Sequence, residues 1–194
     1  MRELNNIEEH ILDRALYLMG KKKSCDISIR AIAKEANVNV GAINYYFRTK
    51  DEMVRLVKEF YIENTMTVLD ILKSEEYGDE EKLLLAANEI MEYSLRFPGN
   101  MVIHAHSMKI AGEDATSGRI IRLSAEIGER LKQLLRNLIT GDETSHNYKY
   151  LMFTSSINYP TEYEGIAEMD STFLMQKEAR MEYLKLLIRA LQSV

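Results

Sequence analysis

Helix breakers are scarce in this chain: 2 prolines and 9 glycines in 194 residues. Sandwiches and barrels need turn residues every few positions. A many-turned β architecture is therefore excluded, and long helices are favoured. The apolar residues agree. Ile7, Ile11, Leu12, Ala15, Leu16 and Met19 recur at helical spacing. Asn6 and Glu9 form a capping-box pattern at the start of that helix, and Gly20 is placed to end it. Helical spacing continues along the chain. Met53, Leu56, Val57, Phe60, Tyr61 and Val68 follow a Thr49/Glu52 capping box, and Leu83, Ala87, Ile90 and Met91 precede a break at Phe97-Pro98-Gly99. Three more long segments are expected: one from about Ile120 to Leu138 before Gly141, one from about Thr144 to Asn158 before Pro160, and a last one over about 171–191. The expected fold is all-α, with about nine helices and no strand.

Residues 28–47 form the most informative stretch. Ser28 can cap a short helix through about Glu35, with Ile29, Ile32, Ala33 and Ala36 on its inner face. Asn37 tolerates a left-handed turn. Asn39 can cap a second short helix through Tyr46, with Ile43 and Phe47 facing inward. Small Ala33 lets the two helices approach, and Ile32, Ala36, Val38 and Ile43 cement them. This is the spacing of a helix-turn-helix, whose second helix can enter a major groove. It also suits an ordinary αα-hairpin.

Charge is uneven along the chain, which fits an anionic partner at one end or chance variation over 50 residues. The whole chain carries a net charge of −5, which does not look like a nucleic-acid binder, yet residues 1–50 hold nine Lys/Arg against six Asp/Glu. A basic head on an acidic body suggests an anionic partner at one end. The single cysteine, Cys25, can form no internal disulfide and no Cys-based zinc site, and a reduced, cytoplasmic setting fits. No membrane span or apolar signal segment is predicted. His104 and His106 are two apart and diverge on a helix, and no metal or other cofactor is expected. A helical enzyme is the reading with least support, because neither a nucleophile motif nor a Gly-rich phosphate loop is present.

The string IAKEANVNVGAINYYFRTKDEMVRLV resembles the signature of the TetR family of transcriptional regulators, through Ile32-Ala33, Ala36, Val38, Gly41, Ile43, Tyr46, Phe47 and Lys50. Asn37 replaces the usual turn glycine and Asn39 the usual capping serine, and both keep the backbone role. Asn44 replaces the usual tyrosine and changes what the recognition helix presents. The resemblance implies a helix-turn-helix DNA-binding domain over residues 1–50 and a helical ligand-binding and dimerisation domain over 51–194. It implies a homodimeric repressor that binds a palindromic operator in double-stranded DNA and is released by a small organic effector. A protein of the same fold that binds or organises DNA without an inducer is the alternative.

On this reading Val40, Gly41, Ala42 and Asn44 meet base edges at the start of the recognition helix, and the capping Asn39 is counted with the DNA-binding residues. Asn44 is the strongest candidate, because a carboxamide pairs bidentately with adenine. Ser28, Tyr45, Tyr46, Arg48 and Lys50 are expected at phosphates, although Tyr46 also suits core packing. Lys21, Lys22 and Lys23 suit a solvated loop. Met101, His104, Met108, Tyr148 and Met152 are candidates to line an effector pocket, as inward residues mixing soft apolar surface with polar atoms. His104 is equally suited to be a buried core histidine. The resemblance places the dimer interface in the last two long helices, where Leu184, Leu187, Ile188 and Leu191 supply apolar surface.

Overall fold

The computed structural model describes residues 5–162 and 172–193. The helices are α1 (Asn6–Lys22), α2 (Ile29–Glu35), α3 (Val40–Phe47), α4 (Lys50–Lys73), α5 (Asp79–Arg96), α6 (Asn100–Ile110), α7 (Ala115–Leu138), α8 (Glu143–Glu162) and α9 (Lys177–Gln192), with a 3₁₀ turn at Thr172–Met175 before the last. No strand occurs among the described residues, so the all-α expectation holds. No described helix is long and apolar enough to cross a membrane. The chain forms two compact units, residues 1–64 with 97–122 and residues 65–96 with 123–194. The head expected over residues 1–50 lies within the first.

Several expected boundaries move, each for a physical reason. The first capping box is Asn5 with Glu8, one residue earlier than expected. The Asn5 side chain accepts from the Ile7 and Glu8 amides, and Glu8 reaches back to the Asn5 amide at 3.0 Å. Gly20 does not end α1. The helix runs to Lys22 and closes through left-handed Lys23 (φ 52°), whose amide donates to the Gly20 carbonyl while Ser24 donates to Met19. Gly20 is there for packing: a Cβ on it would lie 2.5 Å from the Pro98 carbonyl carbon. Nor does α8 stop before Pro160. Proline has no amide hydrogen, so the Ser156 carbonyl loses its helical donor. The Tyr183 hydroxyl donates to that carbonyl instead, at 2.7 Å. The last helix begins at Lys177; residue 171 of its expected span lies outside the described residues.

In the first unit Ile11, Leu12, Leu16, Met19, Ile27, Ile32, Ile43, Phe47, Met53 and Leu56 are fully buried. The Phe60 and Phe97 rings meet edge to face at 5.2 Å. Lys58 is only 6% exposed and is balanced by Asp114, whose Oδ2 lies 2.8 Å from Nζ and also accepts from the Ser117 amide and hydroxyl at the start of α7. The Lys58 ammonium, then Ser117, holds the Asp114 carboxyl far below the usual carboxylate range. A depressed folded pKa means that this contribution is whole above the unfolded value of about 4 and fades as pH falls below it.

The second unit has a continuous apolar core that includes Val68, Leu72, Leu83, Met91, Leu131, Phe153, Ile157, Leu184, Ile188 and Leu191. A buried arginine staples the start of α9 to it. Arg180 Nε donates to Asn88 at 3.0 Å, Nη1 to the Leu174 and Met175 carbonyls, and Nη2 to Glu92 at 2.6 Å.

Candidate nucleic-acid interface

Three short-range devices build the head. Ser28 Oγ accepts from the Ala31 amide at 3.2 Å and starts α2. The helix ends in a left-handed turn at Asn37 (φ 53°), where the Val38 amide donates to Ala33 and the Asn37 amide to Lys34. Asn39 Oδ1 accepts from the Ala42 amide at 2.7 Å and starts α3. Across this corner His10 Nε2 donates to the Ala36 carbonyl at 3.1 Å, tying α1 to the end of α2. The expected caps of both helices are those observed. The second helix ends one residue later than expected, at Phe47, and is closed by Arg48 at φ 49°.

Lys23, Asn37 and Arg48 are non-glycine residues at positive φ. An ordinary side chain there costs about 1–2 kcal/mol, and Asn least. Lys23→Gly is therefore expected to stabilise the fold by about 0.5–1 kcal/mol after the extra chain entropy of glycine is counted, and Asn37→Gly by less. A thermal melt checks both.

The turn buries Ile43 and Phe47 and leaves Val40, Gly41, Asn44, Tyr45 and Arg48 exposed, with Ala42 and Tyr46 half-buried between. The exposed positions follow i, i+1, i+4, i+5, i+8, which is one face of a helix. Tyr45 is 80% exposed and meets Tyr46 edge to face at 5.1 Å. No charged residue lies in α3, so Asn44 is its one side-chain amide available to a base edge. An open cleft of about 590 Å³ beside this helix is lined by Asn5, Glu8, Tyr45, Tyr46, Arg48 and Glu52.

Ser28 is exposed on the same head, and Lys50 is partly exposed at the first turn of α4. Lys50 is already engaged, however, in an ion pair with Asp26. Sequence reasoning missed that pair and also missed Arg30 and Lys34, two exposed cations on α2. Both lie inside the helix-turn-helix segment itself, where their charge is visible in the sequence.

The other two candidate sets are not where periodicity suggested. The five expected pocket residues divide between the units. Met101, Met108 (64% exposed), Tyr148 and Met152 point to solvent, and only His104 is half-buried, its pKa lowered by desolvation. The inward face of α6 is Asn100, Ile103 and Ser107 instead. Of the expected interface residues, Leu184, Ile188 and Leu191 are buried within this chain and Leu187 packs against the same core. Within the single chain they belong to the core. Helical spacing marks an apolar face without telling what covers it. The exposed apolar residues of α8 and α9 are Tyr148, Leu151, Met152, Tyr159 and Leu186.

Residues 11–57 match the family model of bacterial regulatory proteins, tetR family. The chain is 35% identical over 89 residues to a probable HTH-type transcriptional regulator, YttP of Bacillus subtilis, a match covering 44% of this chain and 42% of that protein. It is 26% identical over 133 residues to the nucleoid occlusion factor SlmA of Salmonella paratyphi B, covering 68% of this chain and 67% of the other. In three dimensions it resembles a TetR-like transcriptional regulator from Rhodococcus sp. RHA1, with a TM-score of 0.63, 16% identity and 97% of each chain covered; at that identity the likeness shows the fold. With the helix-turn-helix geometry of the head and the matched residues in it, residues 11–57 form a domain of the tetR family of bacterial regulatory proteins.

Proposed function

We propose that the protein is a homodimeric repressor that binds a palindromic operator through α3 and is released by a small organic effector bound in its helical body. The observation that carries the DNA-reading part is the exposed, uncharged face Val40–Gly41–Asn44–Tyr45, rigidly capped at its start by Asn39. In this reading Asn44 reads adenine, Val40 and Ala42 touch thymine methyls, and Ser28, Tyr45, Tyr46, Arg48 and Lys50 hold phosphates. Dimerisation uses the solvent-facing row Tyr148, Leu151, Met152 and Tyr159 of α8 with Leu186 of α9. These residues recur at i, i+3, i+4 and i+11 on α8, a stripe of apolar surface of the kind that marks a contact site. Two-fold symmetry then sets the half-sites about 34–36 Å apart or at a multiple of that.

The test is selection of binding sites from a random duplex pool, followed by titration of variants. Asn44→Ala is expected to cost about 1–3 kcal/mol and to relax preference at one base pair per half-site. Lys50→Ala should weaken all sequences alike. A pool that yields no symmetric motif would falsify the operator reading.

For the effector, a tenfold release needs about 1.4 kcal/mol of coupling, and linkage requires DNA to weaken effector binding equally. Calorimetry of a screened compound with and without operator checks both directions. A second reading, DNA binding without an inducer, is favoured by the outward position of four of the five expected pocket residues. Equal effector affinity in the two titrations decides for it.

A further inference from the structure

Two of the residues expected to grip phosphate, Ser28 and Lys50, flank an aspartate. Asp26 stands two residues before Ser28 in the link between α1 and α2, and its Oδ1 accepts from Lys50 Nζ. The backbone that carries the carboxylate is held in place. The Asp26 amide donates to Ser24 Oγ at 3.0 Å, the Ile27 amide donates to the Cys25 carbonyl at 3.0 Å, and the Ile27 side chain is buried. The pair itself lies in water, with side-chain exposures of 89% for Asp26 and 37% for Lys50. A pair so exposed is weak and exchanges readily. Lys50 pulls the Asp26 carboxyl below its ordinary pKa, so it is an anion at neutral pH.

We propose that Asp26 competes with DNA phosphate for Lys50, and that this competition lowers the sequence-independent grip of the head so that retention on a duplex depends on the base contacts of α3. The inference rests on the DNA-binding reading of the head. When a phosphate takes Lys50, the displaced carboxylate can turn aside only as far as its short side chain allows, because its backbone is fixed. Two anions then share one cation, and the contact releases less than one counterion's worth of free energy. Every sequence offers the same phosphates, so the penalty falls equally on all duplexes. The contacts of Asn44 to a base edge are untouched. Because non-specific sites vastly outnumber specific ones in a genome, a uniform penalty shortens idle residence on the wrong DNA.

The experiment titrates the full-length protein against a fluorescent duplex of arbitrary sequence, over a salt series, by anisotropy. Asp26→Asn is expected to bind about three- to tenfold tighter at physiological ionic strength, and its log K should fall more steeply with log salt by up to about 0.9, the limit set by one whole phosphate contact. Asp26→Ser should repeat the gain, since only the charge matters. Glu35→Gln, an equal charge change at an exposed site on α2, should stay within about twofold of the parent. In a Lys50→Ala background the Asp26→Asn gain should vanish. An unchanged or weaker Asp26→Asn complex overturns the proposal, as does an equal gain from Glu35→Gln or a gain that survives Lys50→Ala. A parent protein that binds no duplex at any salt removes the DNA-binding reading and this inference together, an outcome distinct from binding that ignores Asp26.

Discussion

Leu151→Asp is expected to turn the proposed dimer into monomers at micromolar concentration and to abolish tight operator binding with it. Leu151 is 63% exposed in the centre of the apolar row on α8, between Tyr148 and Tyr159. Burying a leucine stabilises an interface by about 1.5–3 kcal/mol, and a carboxylate at that place must be desolvated on both copies of a two-fold contact. Because the residue is exposed in the single chain, the substitution should leave the thermal unfolding of the protomer nearly unchanged. Losing the second reading head removes an avidity gain of about 10²–10⁴. Sedimentation and operator titration should therefore change together. Leu184→Asp makes the contrast. It puts a charge into the core of the second unit, so it should unfold the chain rather than dissociate it. A Leu151→Asp protein that still sediments as a dimer would show that the row is not the interface.

Gly99→Ala is expected to lower stability by about 3 kcal/mol or more, which for a chain of this size is a fall of about 10 °C in Tm. Gly20 on α1 and Gly99 at the start of α6 interlock. A Cβ on Gly99 would sit far inside van der Waals contact with the Leu16 carbonyl oxygen, and one on Gly20 would lie 2.5 Å from the Pro98 carbonyl carbon and 2.7 Å from the Gly99 nitrogen. These neighbours are backbone atoms, which cannot rotate aside. Relief requires α1 to lift away from the Phe97–Gly99 link, which would strip contacts from the buried Leu16 and Met19. Gly78→Ala is the control: its Cβ would meet nothing within 4 Å, so its melt should move by no more than about 0.5 kcal/mol. Equal melts for the two variants would show that the α1–α6 crossing can open without cost.

Local devices were legible from residues alone; long-range ones were not. Ser28, Asn37 and Asn39 act on amides three or fewer residues away, so the residue type and its neighbours sufficed to place them. The first capping box was misplaced by one because Asn5-Asn6 and Glu8-Glu9 offer two registers of the same pattern. Gly20 and Pro160 carry the letters of helix ends, yet one is a packing glycine and the other a proline whose lost hydrogen bond is replaced. In both cases the deciding atom lies far along the chain, at Pro98 or at Tyr183. The burial of the pocket and interface candidates was illegible for a related reason. α9 has one apolar face turned to its own core and also carries Leu186, exposed, elsewhere on its surface, and spacing alone cannot say which face meets a partner. Ion pairs such as Lys50–Asp26 and Lys58–Asp114 join residues 24 and 56 positions apart, with no local signature.

The passage of α8 through Pro160 also constrains the order in which sequences like this one can drift. The Tyr183 hydroxyl satisfies a carbonyl that only a proline four residues later leaves open. In an ancestor with another residue at that position the hydroxyl would have had a competitor, and Phe at 183 would have been nearly neutral. Once proline is present, the same Tyr-to-Phe change strands a half-buried acceptor. The pair is thus a ratchet: tyrosine can precede proline at little risk, but it cannot be lost first on the way back. Homologous chains should accordingly contain Tyr without Pro far more often than Pro without Tyr.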